Sequence, residues 1–163
     1  MSEPDSSPGE PAVTRAALVR DWLPPVAWMA LIFVGSTDSS SSGHTARLVG
    51  PLLRWLFPGL AEPTIDFVVF SVRKAAHLGE YAVLAGLCWR ALRRPVRLAP
   101  RSWSWRTAGL ALLISALWAA SDELHQSFTA TRTASVWDVL LDTTGAGLGL
   151  LLLWALGRWR GWW

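Results

Sequence analysis

Ionisable side chains lie in and beside the apolar stretches of this 163-residue chain, where lipid would penalise them. Arg73, Lys74, His77 and Glu80 open one apolar segment. Asp122, Glu123 and His125 close the next, and Asp138 and Asp142 begin the last. A charge at membrane depth costs about 3 kcal/mol or more, so such residues mark a site or a buried network. Arg73, His77, Glu80 and Leu84 recur at helical spacing on one face, and Lys74, His77 and Tyr81 form an overlapping stripe. Asp122 and Gln126 share a face, as do Asp138 and Asp142, and Arg132 between these pairs can meet any of the carboxylates or an anionic headgroup.

Three chemistries suit these residue types. Arg73, Lys74 and Arg132 can hold phosphate or carboxylate groups through charge-assisted hydrogen bonds, above a polar network of His77, Glu80, Glu123, His125 and Asp142. Glu123 and His125 are the candidates for general acid and base if the chain is an enzyme. Asp142 and Glu80 would be the titrating pair of a proton-coupled carrier. Ser121, Ser127 and Thr143 are ordinary residues with no nucleophile signature. The His, Asp and Glu spacing matches neither the HExxH of zinc proteases nor another strong metal pattern, so no metal and no cofactor is expected.

Plainer roles compete for some of these positions. Asp138, three residues after Ser135, can complete a capping box at a helix start. Asp122 and Glu123 can form a solvated helix end, and Arg73 and Lys74 can snorkel to headgroups. His77, Glu80 and Asp142 resist such readings because they lie about two turns inside their apolar segments.

The elements that must position these residues are helices. More than half of the chain is apolar, and most of its 12 Trp residues stand near the ends of apolar runs, as in the aromatic belts of a bilayer interface. Residues 1–14, rich in Pro, Ser, Glu and Asp, read as a disordered tail without a secretory signal. Spans are expected over about residues 18–36, 68–91, 105–121 and 136–156. Pro24 and Pro25 fit the start of the first, where a helix tolerates proline. Residues 36–45 read as a polar Ser-rich loop, and residues 48–60, broken by Pro51, Arg54 and Pro58, as a short helix lying at the interface. The stretch from 65 to 92 is too long for one straight crossing, so part of 65–72 is expected in the headgroup layer. Gly157 and Arg158 end the last span, in which Gly145 and Gly149 form a small-xxx-small pair for close helix approach.

Charge sets the expected orientation. The net charge is +3, and Arg90, Arg93, Arg94, Arg97, Arg101 and Arg106 cluster between two apolar runs without an acid among them. A basic patch of this kind can bind nucleic acid, but it fits better as a cytoplasmic loop under the positive-inside rule. Arg15, Arg20, Arg158 and Arg160 fall on the same side, against Arg47, Arg54 and Arg132 on the other. The expectation is an all-α, polytopic membrane bundle of about four transmembrane helices in the bacterial plasma membrane. Both termini are cytoplasmic and the polar site faces outward. Cys88 is alone, which excludes an intramolecular disulfide.

Two blocks then resemble the VanZ-like family of small bacterial membrane proteins, named after a protein linked to teicoplanin resistance. Residues 73–86, RKAAHLGEYAVLAG, are similar to its RKxxHxxxYxxLG pattern. Residues 122–128, DELHQSF, followed by Arg132, Asp138 and Gly145, are similar to its DExxQxFxxxR, D and G pattern. The resemblance covers about residues 20–157. Ala130-Thr131 stands where Pro-Gly is usual, and Asp142 where Asn is common, which adds a charge at depth. The resemblance implies a small multi-span bundle of the cell envelope. It suggests an anionic lipid, a lipid-linked cell-wall precursor or a lipoglycopeptide as ligand, and a connection to teicoplanin-type antibiotic resistance.

Overall fold

The computed structural model describes residues 15–37, 41–93, 102–128 and 135–163, and all regular structure among them is helical. The helices are α1 (Arg15–Thr37), α2 (Ser41–Leu56), α3 (Glu62–Arg93), α4 (Trp105–Gln126) and α5 (Val136–Trp159). The tail assigned to residues 1–14, and Arg94, Arg97, Arg101 and Arg132, lie outside the described residues.

Among the described residues three helices, α1, α4 and α5, are long and apolar enough to cross a membrane. Three boundaries depart from expectation. Helix α1 begins at Arg15, so Pro24 and Pro25 are interior rather than in the first turn. Each leaves a carbonyl one turn back without its helical N–H partner, and Pro25 is fully buried against the bundle. Helix α2 starts at Ser41, inside the stretch expected to be a loop, and runs through Pro51. Helix α5 passes Gly157 and Arg158 and ends instead at Trp159, with Gly161 just beyond it at a φ of +65° that suits glycine. There the Trp162 N–H donates to the Gly157 carbonyl at 2.8 Å and the Gly161 N–H to the Arg158 carbonyl at 3.2 Å, a Schellman closure.

The stretch from 62 to 93 is one continuous helix of 32 residues, about 48 Å long at 1.5 Å per residue. It is the hub of the bundle, in contact with each of the other helices and most extensively with α5. Its pairing with α5 is parallel: Lys74 meets Asp138, His77 meets Asp142, and Leu78 and Ala82 back onto Gly145 and Gly149. A Cβ at Gly145 would stand 2.5 Å from the Leu78 carbonyl oxygen, and one at Gly149 2.6 Å from the Ala82 Cα. Glycine therefore sets the spacing of this seam. Helix α1 runs parallel to α4, with Phe33 against Trp118 and Ser36 against Asp122.

The core between α3, α4 and α5 contains Tyr81, Leu84, Ala85, Cys88, Ala111, Ala119, Ala146 and Leu150. One end of it is closed by indoles. Trp89, Trp103 and Trp163 lie 5.0 to 5.6 Å apart between ring centroids, and the Arg93 guanidinium lies over Trp89 at 4.9 Å. The other end is polar.

Candidate functional site

The parallel α3–α5 seam turns two helical stripes toward each other. Lys74 and His77, three apart on α3, face Asp138 and Asp142, four apart on α5. Lys74 Nζ pairs with Asp138 Oδ1 at 2.5 Å. His77 Nδ1 stands 3.7 Å from Asp142 Oδ1 and 3.9 Å from Glu80 Oε2, between two carboxylates. Asp142 is 4% exposed, while Glu80 is half-exposed and its backbone carbonyl accepts the Trp28 indole N–H at 2.9 Å.

The end of α4 completes the cluster. Asp122, Glu123 and Gln126 are all buried there. Asp122 Oδ2 accepts from Ser36 Oγ at 2.6 Å and from Gln126 Nε2 at 3.0 Å, so the expected Asp122–Gln126 face is real and is tied to α1. Neither Asp122 nor Glu123 is a solvated helix end. Glu123 Oε2 accepts the Ser135 backbone N–H at 3.0 Å. That bond changes the reading of Asp138. Ser135 is the N-cap residue of α5 but makes no side-chain cap bond, and the Asp138 carboxylate turns to Lys74 instead of completing a capping box. The helix start is held by a carboxylate from a neighbouring helix, which relieves one of its orphan donors.

Other expected residues stand apart. His125 is half-buried and its ring lies 4.6 Å from that of Phe33 on α1. Arg73 is partly exposed above the Phe70 ring at 5.8 Å. Sequence reasoning missed Ser36, Trp28 and the Ser135 N–H. A serine at the end of an apolar run looks like loop, and a backbone N–H carries no sequence signal.

Within α3, α4 and α5 five buried side-chain atoms have no hydrogen-bond partner: the Trp89 and Trp118 indole nitrogens, Tyr81 Oη, Asp122 Oδ1 and Asp142 Oδ1. Tyr81 is fully buried in the core beside Leu84 and Ala85. Among the described residues no group of His, Cys, Asp and Glu is disposed to hold a metal ion. The arrangement can accept hydrogen bonds and positive charge at depth, and can meet an anion at Lys74 and Arg73 near the rim.

Outside the spans one further pair holds the site's flank. Arg54 on α2 makes two bonds to Glu62 at the start of α3, at 2.9 and 2.6 Å, and this guanidinium keeps the Glu62 carboxyl below its ordinary range.

No match was found among curated proteins or among solved structures. The family model described as VanZ/LLP1 matches residues 22–157, a stretch that takes in most of every helix contributing to the polar end. That match takes in most of the chain and both blocks of the polar constellation, and the chain therefore belongs to the VanZ/LLP1 family.

Proposed function

We propose that this VanZ-type membrane protein binds or masks an envelope lipid or lipoglycopeptide at an outward-facing polar site. In this reading α3 is a fourth span beside α1, α4 and α5, both termini are cytoplasmic, and α2 lies in the outer interface. Support for the fourth span comes from the parallel course of α3 along α5, from Lys74–Asp138 at one end to Trp89 and Trp163 at the other. A helix that accompanies a span along its length shares its depth, and Lys74 and His77 of α3 face carboxylates of α5 rather than lipid.

The observation that carries the binding reading is the convergence of Ser36, Lys74, His77, Asp122, Glu123, Asp138 and Asp142 on one end of an otherwise apolar bundle. An acid–base enzyme using Glu123 and His125 fits less well. Glu123 is engaged with Ser135, the His125 ring lies tilted against Phe33, and residues two apart on a helix point to different faces. The carrier reading has one observation of its own, the placement of His77 between Glu80 and Asp142. It calls for an activity that needs the proton gradient and is lost in Asp142→Asn.

The deciding experiment is mass spectrometry of envelope lipids from cells without the gene, with it, or with Glu123→Gln, together with teicoplanin susceptibility. Unchanged lipids alongside protein-dependent susceptibility and direct lipid or lipoglycopeptide binding are expected. A lipid species converted by the intact chain and not by the variant would refute the non-enzymatic reading.

A further inference from the structure

The end of the bundle opposite the polar cluster holds a second arrangement of charge and rings. Arg93 follows Lys74 along α3 by about 28 Å at 1.5 Å per residue, close to the thickness of a bilayer's hydrocarbon core. Two guanidiniums stand there on an indole cluster. Arg93 Cζ lies 4.9 Å from the Trp89 ring centroid and 5.4 Å from that of Trp163. Arg160 Cζ lies 5.4 Å from the centroid of Trp162, which is 6.0 Å from that of Trp163. Trp103 stacks on Trp89 at 5.0 Å and completes the group.

Stacking holds a guanidinium by its face and leaves the N–H groups at its edge available for hydrogen bonds. Among the described residues no carboxylate pairs with Arg93 or Arg160. Helix α3 carries no acid after Glu80, α5 none after Asp142, and α4 none before Asp122. Asp21 of α1 stands 3.7 Å from Arg20. The indole nitrogens of Trp89 and Trp103 are buried without an acceptor, whereas that of Trp163 donates to the Trp154 carbonyl at 3.2 Å. Indole N–H is a donor and nothing else, so this end lacks acceptors and negative charge. The positive-inside rule accounts for arginine here but not for its stacking on rings away from carboxylates. A phosphate diester at headgroup depth supplies both missing properties, and its oxygens match the guanidinium fork.

We propose that the indole cluster carrying Arg93 and Arg160 is a binding site for the phosphate of an anionic phospholipid, in the leaflet opposite the polar end. It is a second site, independent of what the polar end binds.

The test is native mass spectrometry of the full chain in detergent micelles, titrated with phosphatidylglycerol or phosphatidylcholine, with inorganic phosphate as competitor. Phosphatidylglycerol is expected to bind about tenfold tighter than phosphatidylcholine, and inorganic phosphate not to displace it. Arg93→Gln and Arg160→Gln should each weaken phosphatidylglycerol binding about fivefold. Arg15→Gln, which removes the same charge from the start of α1, should stay within about twofold. Equal binding of the two lipids would overturn the inference. So would equal losses in Arg15→Gln and Arg93→Gln, which would reduce the cluster to diffuse positive charge. A loss confined to Arg73→Gln would place the lipid at the polar end and overturn it as well. Displacement by inorganic phosphate at matched concentration would overturn a lipid source. Arg93→Lys keeps the charge without the planar fork and serves if Arg93→Gln fails to fold. A loss of about threefold is expected there, and unchanged affinity would overturn the role of the stacked guanidinium.

Discussion

The closest helix contact offers the sharpest test of how the site is assembled. Gly145→Ala introduces a Cβ that would lie 2.5 Å from the Leu78 carbonyl oxygen and 2.8 Å from its Cα. Backbone cannot rotate out of the way as a side-chain tip can, so α3 and α5 must part by about 0.9 Å to reach ordinary contact. Gly147, two residues on, faces open space and serves as the control. Alanine at either position gains about 0.5–1 kcal/mol of helix propensity. At Gly145 that gain is set against about 1–3 kcal/mol of overpacking. Gly147→Ala is therefore expected to be neutral or stabilising, and Gly145→Ala to fall below it by about 1–3 kcal/mol. Parting the seam also lengthens the Lys74–Asp138 and His77–Asp142 approaches, so ligand binding should weaken in the same variant. Reversible unfolding in mixed micelles, with the two variants side by side, measures the difference. Equal stabilities for Gly145→Ala and Gly147→Ala would refute the close α3–α5 approach and the site geometry that depends on it.

Other expectations follow from single contacts. Ser36→Ala removes one of the two donors to Asp122 Oδ2 and is expected to cost about 1–3 kcal/mol, read by the same unfolding assay; a neutral result would detach α1 from the site. Asp138→Asn should cost no more than about 1 kcal/mol, because the pair with Lys74 is partly open to solvent, so a large loss of stability would show that the pair is a main strut. The Arg54–Glu62 pair carries a pH dependence of known sign. Because Arg54 lowers the Glu62 pKa, its contribution is present at neutral pH and lost as pH falls through that lowered value. Amide exchange in α2 should accelerate, relative to its intrinsic rate, below about pH 4 in the unaltered chain and not in Glu62→Gln. Gly157→Ala has no room for its methyl beside the Trp163 ring, so displacement of that indole should shift the tryptophan emission spectrum, and an unchanged spectrum would argue against the indole cluster.

The all-helical, membrane-compatible class of the protein and most residues of the candidate polar end were legible in the amino-acid sequence. Apolar runs of spanning length can be read from composition because burial in lipid demands them whatever the neighbours are, and α4 and α5 begin where those runs begin. Helical spacing likewise predicted that Asp122 and Gln126 meet, and that Asp138 and Asp142 turn the same way, since periodicity is a local property. Boundaries were less legible. The first turn of α1 and the start of α2 depend on packing and on neighbouring helices, which offset the cost of interior prolines that local rules would place at an end. Which side chains pair depends on how the helices pack. Whether Asp138 caps its own helix or reaches Lys74 depends on the register of α3 against α5, which Gly145 and Gly149 set by permitting close approach. The same holds for Glu123, whose carboxylate serves a backbone N–H twelve residues away, and for Ser36, which reaches Asp122 across 86 residues of chain. Such bonds join residues with no shared periodicity, so their physical cause, the pairing of buried polar groups left over when helices pack, exists only once the bundle has formed.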